Sequence, residues 1–161
     1  MYITYDQYRE IYDDNIDQKI FDRLAFSAFR VMDIHTTGID NDKKLRLYFP
    51  EDEFAVEVIK NCAADLIHAL YEIHQSENAH GYEVSEHGVH GKIITSISAG
   101  NESISYAAGN AASTAIDAAV TDRKSRDKLM ADIVWEYLRG IDDANGVNLL
   151  YLGKYHGRFR C

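Results

Sequence analysis

Apolar residues recur at three- and four-residue intervals in four stretches of the chain, a period typical of amphipathic helices. The pattern predicts helices over about residues 5–12, 17–36, 51–75 and 113–139. The sequence therefore predicts a mainly α fold, a small helical bundle formed by one domain spanning residues 1–161. The residues expected in its core are Leu24, Phe54, Val58, Leu66, Leu70, Ile133 and Leu138.

One charged run, "TDRKSRDK", interrupts the apolar stripe of the last predicted helix. Such a run is consistent with a kink or an exposed middle section, and also with a solvated turn on one long helix. The sequence leaves both interpretations open.

Before this last helix, about residues 92–107 alternate between apolar and polar positions with the period of a β-strand. A Gly-Asn pair in the middle is a common two-residue turn, and pairing about it places Ile97 opposite Ile104. Because a two-stranded hairpin alone is marginal in water, its apolar face needs a partner, either the helices of its own domain or another subunit. We predict an inserted β-hairpin that serves as an arm between subunits. The residues of this arm are Ile97, Gly100, Asn101, Ile104 and Tyr106.

The chain ends in "NLLYLGKYHGRFRC", which is too apolar for a free C-terminus. We predict an extended C-terminal tail over about residues 147–161 that docks on a partner as an added strand. The alternative is that Leu150 and Leu152 fold back and cap the bundle. The predicted docking residues are Leu149, Leu150, Tyr151, Leu152, Gly153 and Tyr155.

The net charge of -9 argues against binding to nucleic acid by phosphate neutralisation, which needs clustered Lys and Arg. No run is long and apolar enough to predict a membrane span or a signal peptide. With two cysteines, Cys62 in an apolar helical stripe and Cys161 at the end, a disulfide framework is not expected.

The sequence contains no catalytic constellation that we recognise. It has no GxSxG, no P-loop and no GxGxxG motif. His80, His87 and His90 lie in a glycine-rich loop, but their spacing matches no known metal motif. We therefore expect no enzyme activity, no cofactor and no metal, and a metal-dependent enzyme that uses this loop remains the weaker alternative.

The order of the parts carries a resemblance. A short helix with a "Y..Y" pattern, a helix start at "YFPEDE", the segment "SISAGNESISYA", the helix end "IVWEYLRG" and a final "NLLYLG" follow one another. This order resembles the head–tail connector family of long-tailed bacteriophages, also called adaptor or head-completion proteins. The resemblance covers nearly the whole chain, although Leu152 stands where that family commonly has an arginine.

This resemblance implies a structural virion protein, made in the host bacterial cytoplasm, at the interface of head and tail. Such a protein forms a ring of about twelve subunits under the portal, the number that would match it. It extends the DNA channel without binding the passing DNA specifically, and it contacts a stopper or tail-completion protein. The tail would dock on the portal, and the hairpin would face a neighbouring subunit or the channel. The alternative is a cytoplasmic helical-bundle module that binds other proteins.

Overall fold

The computed structural model describes residues 1–13, 16–39, 41–79 and 115–153, and it describes residues 83–85, 88–90, 93–98 and 103–107 by their backbone. Within these ranges the chain forms six helices, so the predicted mainly α fold is confirmed. They are α1 (Tyr5–Ile11), α2 (Gln18–His35), α3 (Lys44–Leu47), α4 (Glu53–Ala79), α5 (Ala115–Thr121) and α6 (Arg123–Leu138).

Polar side chains define the starts of the helices. The Thr4 hydroxyl accepts a hydrogen bond from the Gln7 N–H, and the Gln7 side chain accepts one from the Thr4 N–H, which completes a capping box before α1. Asp17 caps α2 in the same position. The Asp52 carboxylate accepts from the Ala55 N–H at 2.9 Å, and α4 begins at Glu53 instead of the predicted residue 51.

The charged run in the last predicted helix contains a cap. The Asp122 carboxylate accepts from the Ser125 N–H at 2.8 Å and from the Ser125 hydroxyl at 2.9 Å. These hydrogen bonds hold the pKa of Asp122 below its ordinary value. Because Asp122 ends α5 and starts α6, the predicted single helix is two helices separated by one residue.

Four short backbone segments between α4 and α5 are extended: β1 (Glu83–Ser85), β2 (Gly88–His90), β3 (Ile93–Ser98) and β4 (Ser103–Ala107). β1 pairs with β2, and β3 pairs with β4, both antiparallel, with Ile97 opposite Ile104. Gly100 and Asn101 lie outside the described residues. The structure gives no further support to the predicted inserted β-hairpin, which stays a prediction.

The chain divides into two compact units. One contains the described residues of 1–70 and 130–153, and the other those of 71–129; the predicted single domain stays a prediction. In the second unit Ile73 and Ala119 are buried. There the Arg126 guanidinium donates to the Glu77 carboxylate at 2.5 Å and to the Ala119 carbonyl at 3.0 Å. The largest fully buried side chains of the first unit are Ile3, Tyr8, Phe21, Met32, Leu45, Ile59, Leu66, Ile67, Val134, Leu138 and Leu149.

The predicted core is partly correct. Leu24, Leu66 and Leu138 are buried, as expected, whereas Phe54 is 70% exposed and its placement in the core was wrong. The remaining three predicted members, Val58, Leu70 and Ile133, are half-buried. The buried stripe of α4 begins at Ala55 and continues at Ile59, one residue later than predicted, because it is this face of the helix that packs on the rest of the unit.

Candidate interaction surfaces

The C-terminal segment, residues 147–153, folds back onto the first unit through a turn at Asn148. The Asn148 side-chain carbonyl accepts from the Leu150 N–H at 2.9 Å, and its backbone carbonyl accepts from the Tyr151 N–H at 3.0 Å. The Leu149 N–H donates to the Ile141 carbonyl at 2.8 Å, and the Leu149 side chain is fully buried. The prediction of an extended tail is therefore wrong for these residues, and Leu149 belongs to the core.

A buried lysine fastens this segment to the rest of the unit. The Lys44 ammonium donates to the carbonyls of Asn148, at 3.1 Å, and Tyr151, and it lies 5.5 Å from the centre of the Tyr151 ring. Burial lowers the pKa of Lys44, and the negative charges of Asp143 and Asp42 partly oppose this shift. The segment is held at both ends of its turn, so it is a fixed part of the surface.

Two apolar side chains of the same segment remain uncovered. Tyr151 is 53% exposed and Leu152 is 56% exposed. The Leu152 carbonyl accepts from the Ile39 N–H at 3.2 Å, which holds its backbone in place. Leu150 and Gly153 are half-buried. Of the predicted docking residues, Tyr151 and Leu152 thus present the most apolar surface, while Tyr155 lies outside the described residues.

The predicted arm is described by backbone alone. The side chains of Ile97, Ile104 and Tyr106 are outside the description, as are Gly100 and Asn101 altogether. Their assignment to an arm between subunits stays a prediction.

A groove of about 650 Å³ runs along α2 and the connector that follows it, and we call it the basic groove. Phe26 and Ile34 on its wall are 72% and 59% exposed. Apart from buried Asp33, the charged side chains among its described lining residues are all basic. The lining residues are Phe26, Phe29, Arg30, Asp33, Ile34, Thr37, Asn41, Lys43 and Arg46.

The Asp33 carboxylate is already engaged within the unit. It accepts a hydrogen bond from the Tyr2 hydroxyl and forms an ion pair with Arg46 at 2.5 Å. Burial, followed by the hydrogen bond and charge of Asp33, raises the pKa of Tyr2. In the described part of the chain, Arg30 and Lys43 have no ion pair. The groove therefore presents positive charge beside apolar side chains.

A second groove of about 470 Å³ lies at the start of α4, and we call it the acidic groove. Four carboxylates line it, and none of its described lining residues is basic. Phe54, the exposed residue of the first α4 turn, stands at its edge. The lining residues are Pro50, Glu51, Asp52, Phe54, Ala55, Gly140, Ile141, Asp142, Asp143, Ala144 and Gly146.

The carboxylates of the acidic groove differ in what they already bind. One Asp143 carboxylate oxygen accepts from the backbone N–H groups of Asn145, at 2.8 Å, and Val147, at 3.0 Å. Asp52 caps α4. Asp143 is buried, whereas Glu51, Asp52 and Asp142 are exposed. A partner's cations can therefore reach these three carboxylates, of which Asp52 already accepts one backbone hydrogen bond.

A polar cluster joins α1, α4 and α6 inside the first unit. The Asp65 carboxylate accepts from the Tyr12 hydroxyl at 2.5 Å and from the Tyr137 hydroxyl at 2.6 Å. The His68 ring stacks on the Tyr12 ring with 4.1 Å between centres. Burial, with a smaller effect of Asp65, raises the pKa of the Cys62 thiol to about 12. The hydrogen bonds of Asp65 hold the helices together. A thiol is nucleophilic only when it is deprotonated, so the Cys62 thiol is not an activated nucleophile at neutral pH.

The raised pKa of Cys62 predicts a loss of stability at alkaline pH. In the unfolded chain the thiol loses its proton near pH 9, whereas the folded protein retains it up to about pH 12. The stabilisation from this group is full below pH 9 and is lost as the pH rises through 12. We expect the free energy of unfolding, measured in urea, to fall more steeply between pH 9 and 11 in the wild type than in Cys62→Ala. Parallel slopes would contradict the shifted pKa.

The metal alternative finds no support in the residues described. No group of three or more His, Cys, Asp or Glu side chains suited to a metal ion occurs among them. His80 and His87 lie outside those residues, and His90 is described by backbone alone. Of the helices whose residues are described, none has the combined length and apolarity of a bilayer span.

Comparisons of the chain with protein-family models, curated proteins and solved structures found no match.

Proposed function

We propose that this protein is a head–tail connector of a long-tailed bacteriophage. In this role, copies of the chain form a ring beneath the portal, extend the DNA channel and offer a surface to a stopper or tail-completion protein. The ring is part of the virion and carries out no covalent chemistry.

The C-terminal segment is the observation that carries the proposal. The motif "NLLYLG", one of the two on which the family resemblance rests most, lies at residues 148–153. Leu149 and Lys44 fix this motif to the body, and Tyr151 and Leu152 are exposed on it. A rigid backbone that presents apolar side chains loses little conformational entropy on binding. These features suit a surface that docks on the portal.

The uncovered apolar residues of the first unit also support an assembly role. Phe26, Ile34 and Phe54 are each more than half exposed, and the two grooves described above contain them. Exposed apolar side chains grouped with charges are typical of protein interfaces. The net charge of -9 favours a channel wall that does not bind the passing DNA.

We also propose contacts for the hairpin and for the residues beyond Gly153. We place Ile97 and Ile104 against a neighbouring subunit of the ring, with the opposite, polar face of the hairpin toward solvent or the DNA path. The basic residues after Gly153 would meet acidic groups of the portal, which adds steering more than affinity.

The test uses the portal protein from the same phage genome. Electron microscopy of the mixture should show a ring on one end of the portal, and a binding assay should give its affinity. Replacing both Tyr151 and Leu152 with serine should weaken binding at least about tenfold, because burying one such side chain contributes about 1.5–3 kcal/mol. Leu47→Ser is the matched control, since Leu47 is 60% exposed and lies in neither groove.

Two results would count against this assignment. Wild-type protein that forms no complex with the portal would overturn the proposed function. A complex that the Tyr151 and Leu152 replacements leave unchanged would remove the C-terminal segment from the portal interface. Thermal melting of each variant should show a folded protein with only a small shift, because the replaced side chains are more than half exposed and Tyr151 loses only its ring contact with Lys44.

A further inference from the structure

We infer that copies of this chain associate head to tail, with the acidic groove of one copy on the basic groove of the next. The closing of such contacts into a ring rests on the proposed function. The contact itself is inferred from two surfaces of opposite charge on one subunit, both of which include exposed apolar side chains.

The two grooves are complementary in charge. Among its described lining residues the acidic groove has four carboxylates and no basic side chain, and Glu51, Asp52 and Asp142 are exposed. The described lining of the basic groove has Arg30, Lys43 and Arg46, and its one carboxylate, Asp33, is buried and paired with Arg46. Two copies with a net charge of -9 repel each other at long range, so the attraction between copies comes from these two oppositely charged surfaces at close range.

Each groove also carries an exposed aromatic side chain, Phe54 in the acidic groove and Phe26 in the basic groove. Phe26, Arg30 and Ile34 follow one another at four-residue steps, so they lie along one face of α2. The other subunit contributes its acidic groove to the contact, where Phe54 is exposed and Glu51 lines the same groove. If Phe54 packs between Phe26 and Ile34, Arg30 comes close to the carboxylates that flank Phe54. An aromatic anchor surrounded by paired charges is typical of the centre of a protein interface.

The grooves share no lining residue, so one subunit can use both at once. An interface between two different surfaces of identical subunits is heterologous. It adds one subunit after another and gives a ring when the rotation between subunits closes. A two-fold dimer would instead place the same surface of each copy face to face.

Disulfide trapping between single-cysteine variants tests this arrangement. Cys161 is replaced with serine in all variants, and Cys62 is kept because it is buried and its thiol has a pKa of about 12. Phe26→Cys and Phe54→Cys are prepared separately, mixed and oxidised. The reaction is followed with the protein alone and again with the portal present. Leu47→Cys mixed with Phe54→Cys is the matched control.

We expect the mixture of Phe26→Cys and Phe54→Cys to cross-link at least about ten times faster than either variant alone or the control mixture. Adding Arg30→Glu and Lys43→Glu to the Phe26→Cys variant should abolish this advantage. Equal rates in all mixtures, with and without portal, would overturn the inference. Faster cross-linking of one variant with itself would also overturn it, because that result indicates a two-fold contact.

The outcomes for the two proposals are separate. A ring that attaches to the portal without the Phe26–Phe54 cross-link would overturn the head-to-tail contact and leave the connector function. A specific cross-link in a protein that does not attach to the portal would support the contact and overturn the connector function.

Discussion

Leu149→Ala is expected to lower the free energy of unfolding by about 2–5 kcal/mol, the usual cost of truncating a fully buried leucine. The side chain is completely buried, and its backbone N–H bonds to the Ile141 carbonyl. Loss of the side chain leaves a cavity beneath the C-terminal segment. Urea denaturation followed by circular dichroism measures the change.

Leu152→Ala is the matched control for this effect. Leu152 lies three residues further on in the same motif but is 56% exposed, so we expect a change below about 0.5 kcal/mol. Equal destabilisation by the two substitutions would show that the segment does not turn at Asn148. No destabilisation by Leu149→Ala would mean that the segment is a free tail after all.

Phe21→Ala should destabilise the protein by about 3–5 kcal/mol. Phe21 on α2 is fully buried, and its ring packs on the rings of Tyr5 and Tyr8 of α1, with 5.3 and 5.4 Å between centres. Truncation removes a large apolar area and both aromatic contacts. Because these contacts join α1 to α2, the amide protons of α1 should also exchange faster with solvent.

Phe26→Ala separates this core effect from helix propensity. It makes the same substitution on the same helix, at a side chain that is 72% exposed. We expect unchanged or slightly raised stability, since alanine favours helix more than phenylalanine does. A loss comparable to that of Phe21→Ala would contradict the orientation of α2.

The sequence predicted the helices well because their apolar periods and caps are local. The helices α1 and α2 begin within one residue of their predicted starts, and the side chains of Thr4 and Asp17 cap them. The face of α4 was harder to predict, since Phe54 and Val58 repeat with the same period as Ala55 and Ile59. Tertiary packing buries Ala55 and Ile59 and leaves Phe54 exposed, and no local signal in the sequence separates the two stripes.

Other features depend on contacts between distant residues. The four-residue helix α3 has no periodic pattern to reveal it, and it is stabilised by buried Lys44 and Leu45. The apolar letters of "NLLYLG" fit a strand as well as a turn, and the turn depends on the Asn148 side chain and the Lys44 ammonium. The two grooves bring together residues from several elements, so no local sequence motif predicts them.

The contact between Lys44 and the C-terminal segment also has a consequence for the order of folding. It joins residues 107 positions apart, one of the longest separations among the described hydrogen bonds. Closing so long a loop is entropically costly, so contacts of this kind form late, after local helices have formed. During synthesis, Leu149 and its neighbours leave the ribosome long after Lys44. The site under Leu149 therefore stays open until this segment has been made, and the surface that carries Tyr151 and Leu152 is assembled only after that.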